Sequence, residues 1–366
     1  MNGKGITEEI RAAFDTCLAG ADEDAAVELA VRLLDGGVDA EAVLLDLVAP
    51  AQVRVGERWA VDEWSVAQEH AATHVSGRTV DAIAAAVRGN SASYDGGNPG
   101  RLSGGKSGDE RSGGVLAACS DGEWHVLAAR ILSEVLRLRG FRVRFLGGHV
   151  PTAQLISDIH QNGPDVVALS CTLSVNLPLA HRQIEVSRQA GVPVLAGGPG
   201  FGPQGVWAYA LGADLYAPDA RTAAELLEER WPPLLRGGSA VEDTCIEAYA
   251  QLLRQRRELL EKAVEDLRSR FPVMRERSGK QHDEDTAFLG QLLDALAAGV
   301  YVGDPRVLTG HLAFATAYLS ARGVDAASLE TVLGTLVDEL GDSALILRHV
   351  VAGQRWLAGE AGHTDH

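Results

Sequence analysis

The stretch VLAACSDGEWHVLAARILSEVLRLRGFRVRFLG, residues 115–147, decides the fold. It opens on an apolar run, passes through a polar loop, continues with apolar residues at helical spacing and closes on a second β-rich run. A strand, a helix and another strand in that order form the unit of a parallel sheet. Three further runs, DVVALSC (165–171), VPVLAGG (192–198) and ADLYA (213–217), follow at helix-length intervals. Residues 114–236 are therefore expected to form a Rossmann-like (flavodoxin-like) domain on a parallel sheet. Such a domain binds its ligands in the loops beyond the carboxyl ends of the strands.

Upstream, residues 1–88 carry a helical pattern, as in AAVELAVRLL (25–34), broken at Gly36-Gly37 and at Pro50. Four or five helices in a small bundle fit that length. Residues 89–113 are rich in Gly and Ser and poor in large apolar side chains, the composition of a flexible linker. Downstream, residues 242–358 are helical again, beginning with the long charged segment IEAYAQLLRQRRELLEKAVEDLRSRF (246–271) and continuing through three or four more helices. The expected fold class is thus multi-domain α and α/β: a bundle, a linker, a Rossmann-like domain and an all-α, globin-like domain.

A net charge of -17 and a pI near 5.1 argue against a sequence-independent grip on nucleic acid, which needs clustered Lys and Arg. The four cysteines lie far apart without a C-x-x-C, so neither a disulfide framework nor a zinc site is indicated. No secretory signal and no membrane-length apolar run is visible. The expectation is a soluble, cytoplasmic protein with no nucleic-acid or membrane partner.

The loop after the first strand reads Ser120-Asp121-Gly122-Glu123-Trp124-His125. A histidine there can reach outward over the carboxyl edge of the sheet as a metal ligand, and Glu123 can orient its imidazole. A lone loop histidine is more often simply solvated. What lies beyond it changes that balance: Ala128, then, after residues 129–169, Ser170-Cys171-Thr172, then Gly197-Gly198. The series strongly resembles the cobalamin-binding signature D/E-x-H-x-x-G, S-x-L, G-G. That resemblance implies His125 as lower axial ligand to cobalt, with Glu123, Ser170, Thr172, Gly197 and Gly198 at the cofactor. The displaced benzimidazole tail would lie in a slot lined by small residues. Ala128 stands where the signature has glycine, and Thr172 where it has leucine.

Trp59 and the pair Glu69-His70 form a W-x9-EH pattern in the bundle. It resembles the upper-face lid of the cobalamin-dependent photoreceptors related to light-responsive MerR-type regulators. The resemblance implies an indole beside a 5′-deoxyadenosyl group and a carboxylate at its ribose. The position after the tryptophan, a histidine in those receptors, is Ala60 here, so His70 or His74 would have to serve as upper ligand in the light, or else water. No DNA-binding module is expected ahead of the bundle.

In the last domain, His311, Phe314 and Tyr318 fall close to one helix face, and His349 on another. A helical dimerisation bundle with core histidines is the ordinary account; a heme or bilin pocket is the sharper one. The whole layout resembles the photocobilins, which hold cobalamin and biliverdin together. By that resemblance the chain is a light sensor and not an enzyme, with adenosylcobalamin and non-covalent biliverdin as cofactors and His311 and Tyr318 at the bilin. Cys245, the domain's one cysteine, lies at its very start, which is why no thioether is expected. A homodimer or other homo-oligomer signalling to an unidentified protein completes the expectation. The rivals are a corrinoid methyl-transfer carrier or mutase component, and a cobalamin storage or delivery protein.

Overall fold

The structure, a computed structural model, describes residues 5–93, 114–271, 279–325 and 327–359. Two compact units emerge from the packing: Met1–Ser170 with Val186–Gly198 and Asp214–Arg236, and Cys171–Glu185 with Pro199–Ala213 and Gly237–His366.

The first unit begins with the helices α1 (Glu8–Ala19) and α2 (Glu23–Asp35). Asp22 caps α2 by accepting the Ala25 amide at 3.0 Å, and Glu23 and Asp24 place negative charge against the positive end of its dipole. Gly36 ends it, as the sequence suggests. Pro50 does not break the chain. A short α3 (Ala40–Ala42) widens into a π-helical stretch (Val43–Val48), which runs on into α4 (Ala49–Ala60) with Pro50 at the helix start, where a missing N–H is tolerated. The last bundle helix, α5 (Val66–Ser93), extends past the boundary expected at residue 88. The rest of the expected linker, 94–113, lies outside the described residues.

The sheet follows as predicted, with β1 (Gly114–Cys119), β2 (Arg142–Phe145), β3 (Val166–Ser170), β4 (Val194–Gly197) and β5 (Leu215–Ala217). All four pairings are parallel, in the order β2-β1-β3-β4-β5. β1 and β3 are buried on both faces and read as continuous apolar runs. β2 is an edge strand whose alternation RVRF puts Arg142 and Arg144 toward solvent, charges that discourage pairing with another chain. Helix α6 (Val126–Leu138) joins β1 to β2, α7 (Thr152–Asn162) joins β2 to β3, and α10 (Ala220–Glu229) follows β5.

In this strand order the connections change direction between β1 and β3, which opens a crevice at their carboxyl ends. The register sets Cys119 beside Ser170, and Ser170 beside Gly197, so the loops after β1, β3 and β4 leave the sheet at one level. The bundle and the sheet share one apolar core: Phe14, Leu44, Val48 and Ile83 belong to the same cluster as Val115, Ile131 and Val135.

Among the described residues, the second unit holds α8 (Leu177–Gln189) up to Glu185, the short α9 (Val206–Ala210), and the helices α11 (Asp243–Arg270), α12 (Gly279–Val302), α13 (Arg306–Ala321), α14 (Ala327–Leu340) and α15 (Ala344–Leu357). Their core is built on Leu259, Leu292, Leu296, Leu312, Leu333 and Ile346. The segments 171–185 and 199–213 are tied to these helices by polar contacts. His181 Nδ1 meets the Tyr301 hydroxyl at 2.7 Å, and Trp207 Nε1 donates to Asp304 Oδ2 at 2.9 Å. All four cysteines are free thiols. Among the described residues, no helix is long and apolar enough to cross a membrane.

Candidate functional site: the loop beyond β1 and its facing helices

The polar loop that leaves β1 is shaped by a buried carboxylate. Glu123 is wholly buried, and its Oε1 accepts the His125 amide at 3.0 Å while standing 2.5 Å from His125 Nδ1. One carboxylate oxygen therefore fixes both the backbone and the ring of His125. With Nδ1 occupied, Nε2 is the nitrogen presented outward, on a side chain that is 56 % exposed. The Glu123 hydrogen bond raises the His125 pKa, against the opposing effect of burial, and the charges of Glu123 and Glu69 add to the rise. An electron-rich imidazole oriented by a carboxylate is a good metal ligand.

Glu69 acts on His125 from the bundle. Trp59, near the end of α4, is half-buried, and a turn leads from it to α5. Ser65 and Gln68 start α5 with reciprocal bonds: the Ser65 amide donates to Gln68 Oε1 at 3.0 Å, and the Gln68 amide to Ser65 Oγ at 3.3 Å. That capping box fixes Glu69, one residue on, relative to Trp59. Thr73 then donates to Glu69 Oε1 at 2.9 Å and receives Gln52 Nε2 at 2.6 Å, so the carboxylate is aimed by a two-step chain. His70 is different. Its side chain is 74 % exposed and reaches Glu69 Oε2 at 3.4 Å, while His74 is drawn to Glu23 at 3.4 Å. Of the three residues expected at a lid, Trp59 and Glu69 are half-buried and His70 faces solvent.

On the sheet side, Ser170 is buried at the end of β3, and the Ser120 amide donates to its carbonyl at 2.8 Å. The hydroxyl of Ser120 is fully buried without a hydrogen-bond partner, an orphan at the carboxyl edge. A Cβ on Gly197 would lie 3.2 Å from the Ala217 carbonyl, and Gly198 has φ +101°, a conformation that glycine alone adopts readily. Ala128 is exposed in the first turn of α6. Thr172 is half-buried and belongs to the second unit.

No three His, Cys, Asp or Glu side chains converge as a metal cage among the described residues. Cobalt in a corrin brings its remaining ligands in a frame of its own, so a single imidazole such as that of His125 would suffice to hold it. The exposed imidazole, the orphan hydroxyl and the small-residue edge all fit that group.

In the second unit, His311 and Tyr318 belong to one aromatic cluster, linked through Phe288 and Phe314. Phe288 stacks on Tyr318 at 5.3 Å, and the His311 ring lies 6.5 Å from Phe288 and 6.1 Å from Phe314. Burial lowers the His311 pKa to about 4, and its Nε2 is buried without a partner. His349 is a core residue, wholly buried, with Nδ1 2.9 Å from the Leu345 carbonyl oxygen. Sequence reasoning missed Thr73, whose only signal is helical spacing from Glu69, and Gln52, which stands on a different helix and carries no such signal. It also missed His149, announced only by the Gly147-Gly148 pair before it.

Residues 113–227 match the family model described as the B12 binding domain, and residues 10–83 match a second model of the same description. The class is thereby defined: this is a cobalamin-binding protein. Among curated relatives, dimethylamine corrinoid protein 3 of Methanosarcina mazei is 28 % identical over 127 residues, 34 % of this chain and 75 % of that one. The trimethylamine corrinoid protein of Methanosarcina barkeri is 24 % identical over 220 residues, 59 % of this chain and 94 % of that one. Among solved structures, the Methanosarcina barkeri monomethylamine corrinoid protein is 17 % identical with a TM-score of 0.49, covering 61 % of this chain and 98 % of that one.

Proposed function

We propose that this chain is a light sensor that holds adenosylcobalamin between His125 and a cap made by Trp59 and Glu69. What carries the proposal is the cap itself. An indole and a carboxylate aimed by Thr73 and Gln52 stand on the bundle, and that carboxylate acts on the His125 imidazole. A methyl group on cobalt is too small to need an indole and a carboxylate together, whereas a nucleoside offers an apolar face to the first and hydroxyls to the second. Adenosylcobalamin, when bound, supplies a cobalt–carbon bond that light breaks. The residues would do the rest: His125 would hold the cobalt, Glu123 would keep its ring turned, Ser170 and Ser120 would offer hydroxyls to the cofactor's tail, and Gly197 and Gly198 would leave room for it. Loss of the upper group removes the partner of Trp59 and Glu69, which gives the two states the differential contact that a switch requires. In the second unit, His311 and Tyr318 are proposed to contact biliverdin, held without a covalent bond. The output is a change in homo-oligomeric state read by a further protein in the cytoplasm.

A second reading is favoured by the relatives, whose names describe methylamine corrinoid proteins, and for residues 10–227 they support it more directly than they support light sensing. In that reading His125 holds a methyl-carrying corrinoid that reacts with a partner enzyme in the dark. The alignment takes in 94 % of the trimethylamine relative and 59 % of this chain, so part of this chain has no counterpart there under either reading. Size-exclusion chromatography of adenosylcobalamin-loaded protein, in the dark and after illumination, separates the two. A light-dependent shift that is lost in Trp59→Ala supports the sensor; identical elution, with the cobalt–carbon bond intact in light, rejects it in favour of the carrier.

A further inference from the structure

We infer that His149 is a positioning residue for the cobalt ligand: it fixes the loop that carries His125 and so sets the orientation in which the imidazole meets the metal. The inference rests on the cobalamin reading of His125.

The loop after β2 runs alongside the loop after β1. The Leu146 amide donates to the Ala117 carbonyl at 2.9 Å, and the Cys119 amide to the Gly147 carbonyl at 3.0 Å. At Gly148 the two backbones approach so closely that a Cβ would lie 2.6 Å from Val126 Cγ2 and 3.4 Å from the Glu123 carbonyl. His149 then grips three consecutive residues of the ligand loop. Its Nδ1 accepts the Gly122 amide at 3.0 Å, its own amide donates to the Glu123 carbonyl at 2.7 Å, and its ring stacks on Trp124 at 4.8 Å and 14°. Because Nδ1 is an acceptor from a backbone amide, the ring proton sits on Nε2. The Asp121 carboxylate lies 3.5 Å from the same Nδ1, farther than the amide that occupies it.

Two features separate this from ordinary loop packing. His149 has φ +45°, a left-handed conformation that side-chain-bearing residues rarely adopt because of steric strain. Its side chain is also 42 % exposed, so burial alone gives little reason for an imidazole there. The contacts that hold the ring go to Gly122 and Trp124, the neighbours of Glu123. Glu123 orients His125, and His149 holds the backbone from which Glu123 does so.

The test uses full-length protein carrying histidine labelled with the heavy nitrogen isotope, loaded with hydroxocobalamin and reduced to the cobalt(II) form. In electron paramagnetic resonance, ligation by a labelled histidine gives a doublet, ligation by the cofactor's own benzimidazole a triplet, and absence of a nitrogen ligand neither. The parent is expected to give the doublet. His149→Gly, which relieves the backbone while deleting the ring, is expected to lose the doublet in half or more of the protein and to raise the Kd for hydroxocobalamin about tenfold. His149→Asn keeps an acceptor and tolerates positive φ, and is expected to restore the doublet. An unchanged doublet and Kd in His149→Gly overturns the inference. So does failure of His149→Asn to restore the doublet while the cofactor-free variants melt with the parent. His125→Ala keeps the two claims apart. If it retains the doublet, the ligand reading of His125 fails; if it loses the doublet and His149→Gly does not, the role of His149 alone fails.

Discussion

His125 Nδ1 and Glu123 Oε1 stand 2.5 Å apart, with the carboxylate fully buried and the imidazole more than half exposed. Replacing the carboxylate by its amide keeps the shape and removes the charge. Glu123→Gln is therefore expected to weaken hydroxocobalamin binding at least about tenfold, the range found when the partner of a metal-bound histidine is lost. Equilibrium dialysis measures it, and an unchanged Kd would mean that Glu123 does not support the ligand.

Thr73 passes a hydrogen bond from Gln52 to Glu69. Thr73→Val keeps the volume and breaks the chain, leaving Glu69 free to turn. The affinity for adenosylcobalamin should fall about tenfold while that for methylcobalamin holds, since a hydrogen bond to a charged group contributes about 1.5–3 kcal/mol. Equal losses for the two cofactors would place Glu69 away from the upper group.

The second unit should be acid-labile. Burial holds His311 to a pKa of about 4 and lowers those of His349 and His181 as well, while each returns to about 6.5 in the unfolded chain. As pH falls below about 6.5 the unfolded state takes up protons that the folded unit refuses, so stability is complete above that value and is lost progressively toward pH 4. His311 alone is worth about 3 kcal/mol over that range. Urea melts of the cofactor-free protein across it, parent against His311→Leu, should show a shallower decline in the variant.

Gly200 sits against the chain at Cys171, where a Cβ would come within 2.7 Å of the Cys171 carbonyl oxygen and 2.9 Å of Sγ. Backbone cannot yield as a side-chain end can. Gly200→Ala is expected to destabilise the second unit by about 1–3 kcal/mol. A melting temperature equal to the parent's would show that the two segments separate more easily than their geometry implies.

The sheet was legible because each strand is a short apolar run between helical segments, and the edge character of β2 shows in the alternation of Arg142, Val143 and Arg144. His125 and Glu123 were legible because residues two apart in one loop can act on each other without tertiary help. Glu69 drew attention only because the W-x9-EH pattern resembles a photoreceptor lid, and its hydrogen-bond partners were hidden: Gln52 and Thr73 come from different helices, and their meeting is a product of packing. Pro50 misled for the opposite reason. Proline breaks a helix interior, yet after the π-helical stretch it falls at the start of α4, where its missing amide leaves no gap. His149 could not be foreseen, because it acts across two loops that only the strand pairing brings together.

The shared core of bundle and sheet limits how the cap can respond. Helices whose Leu44, Val48 and Ile83 interdigitate with Ile131 and Val135 cannot swing off like a hinged door without wetting those side chains. Motion that keeps them dry is a sliding of α5 along α6 by a fraction of a helical turn, the shear class of rearrangement. Small displacements of that kind leave the interior intact and are felt mainly at the far ends of the helices, where Trp59 and Glu69 stand on one side and the ligand loop on the other.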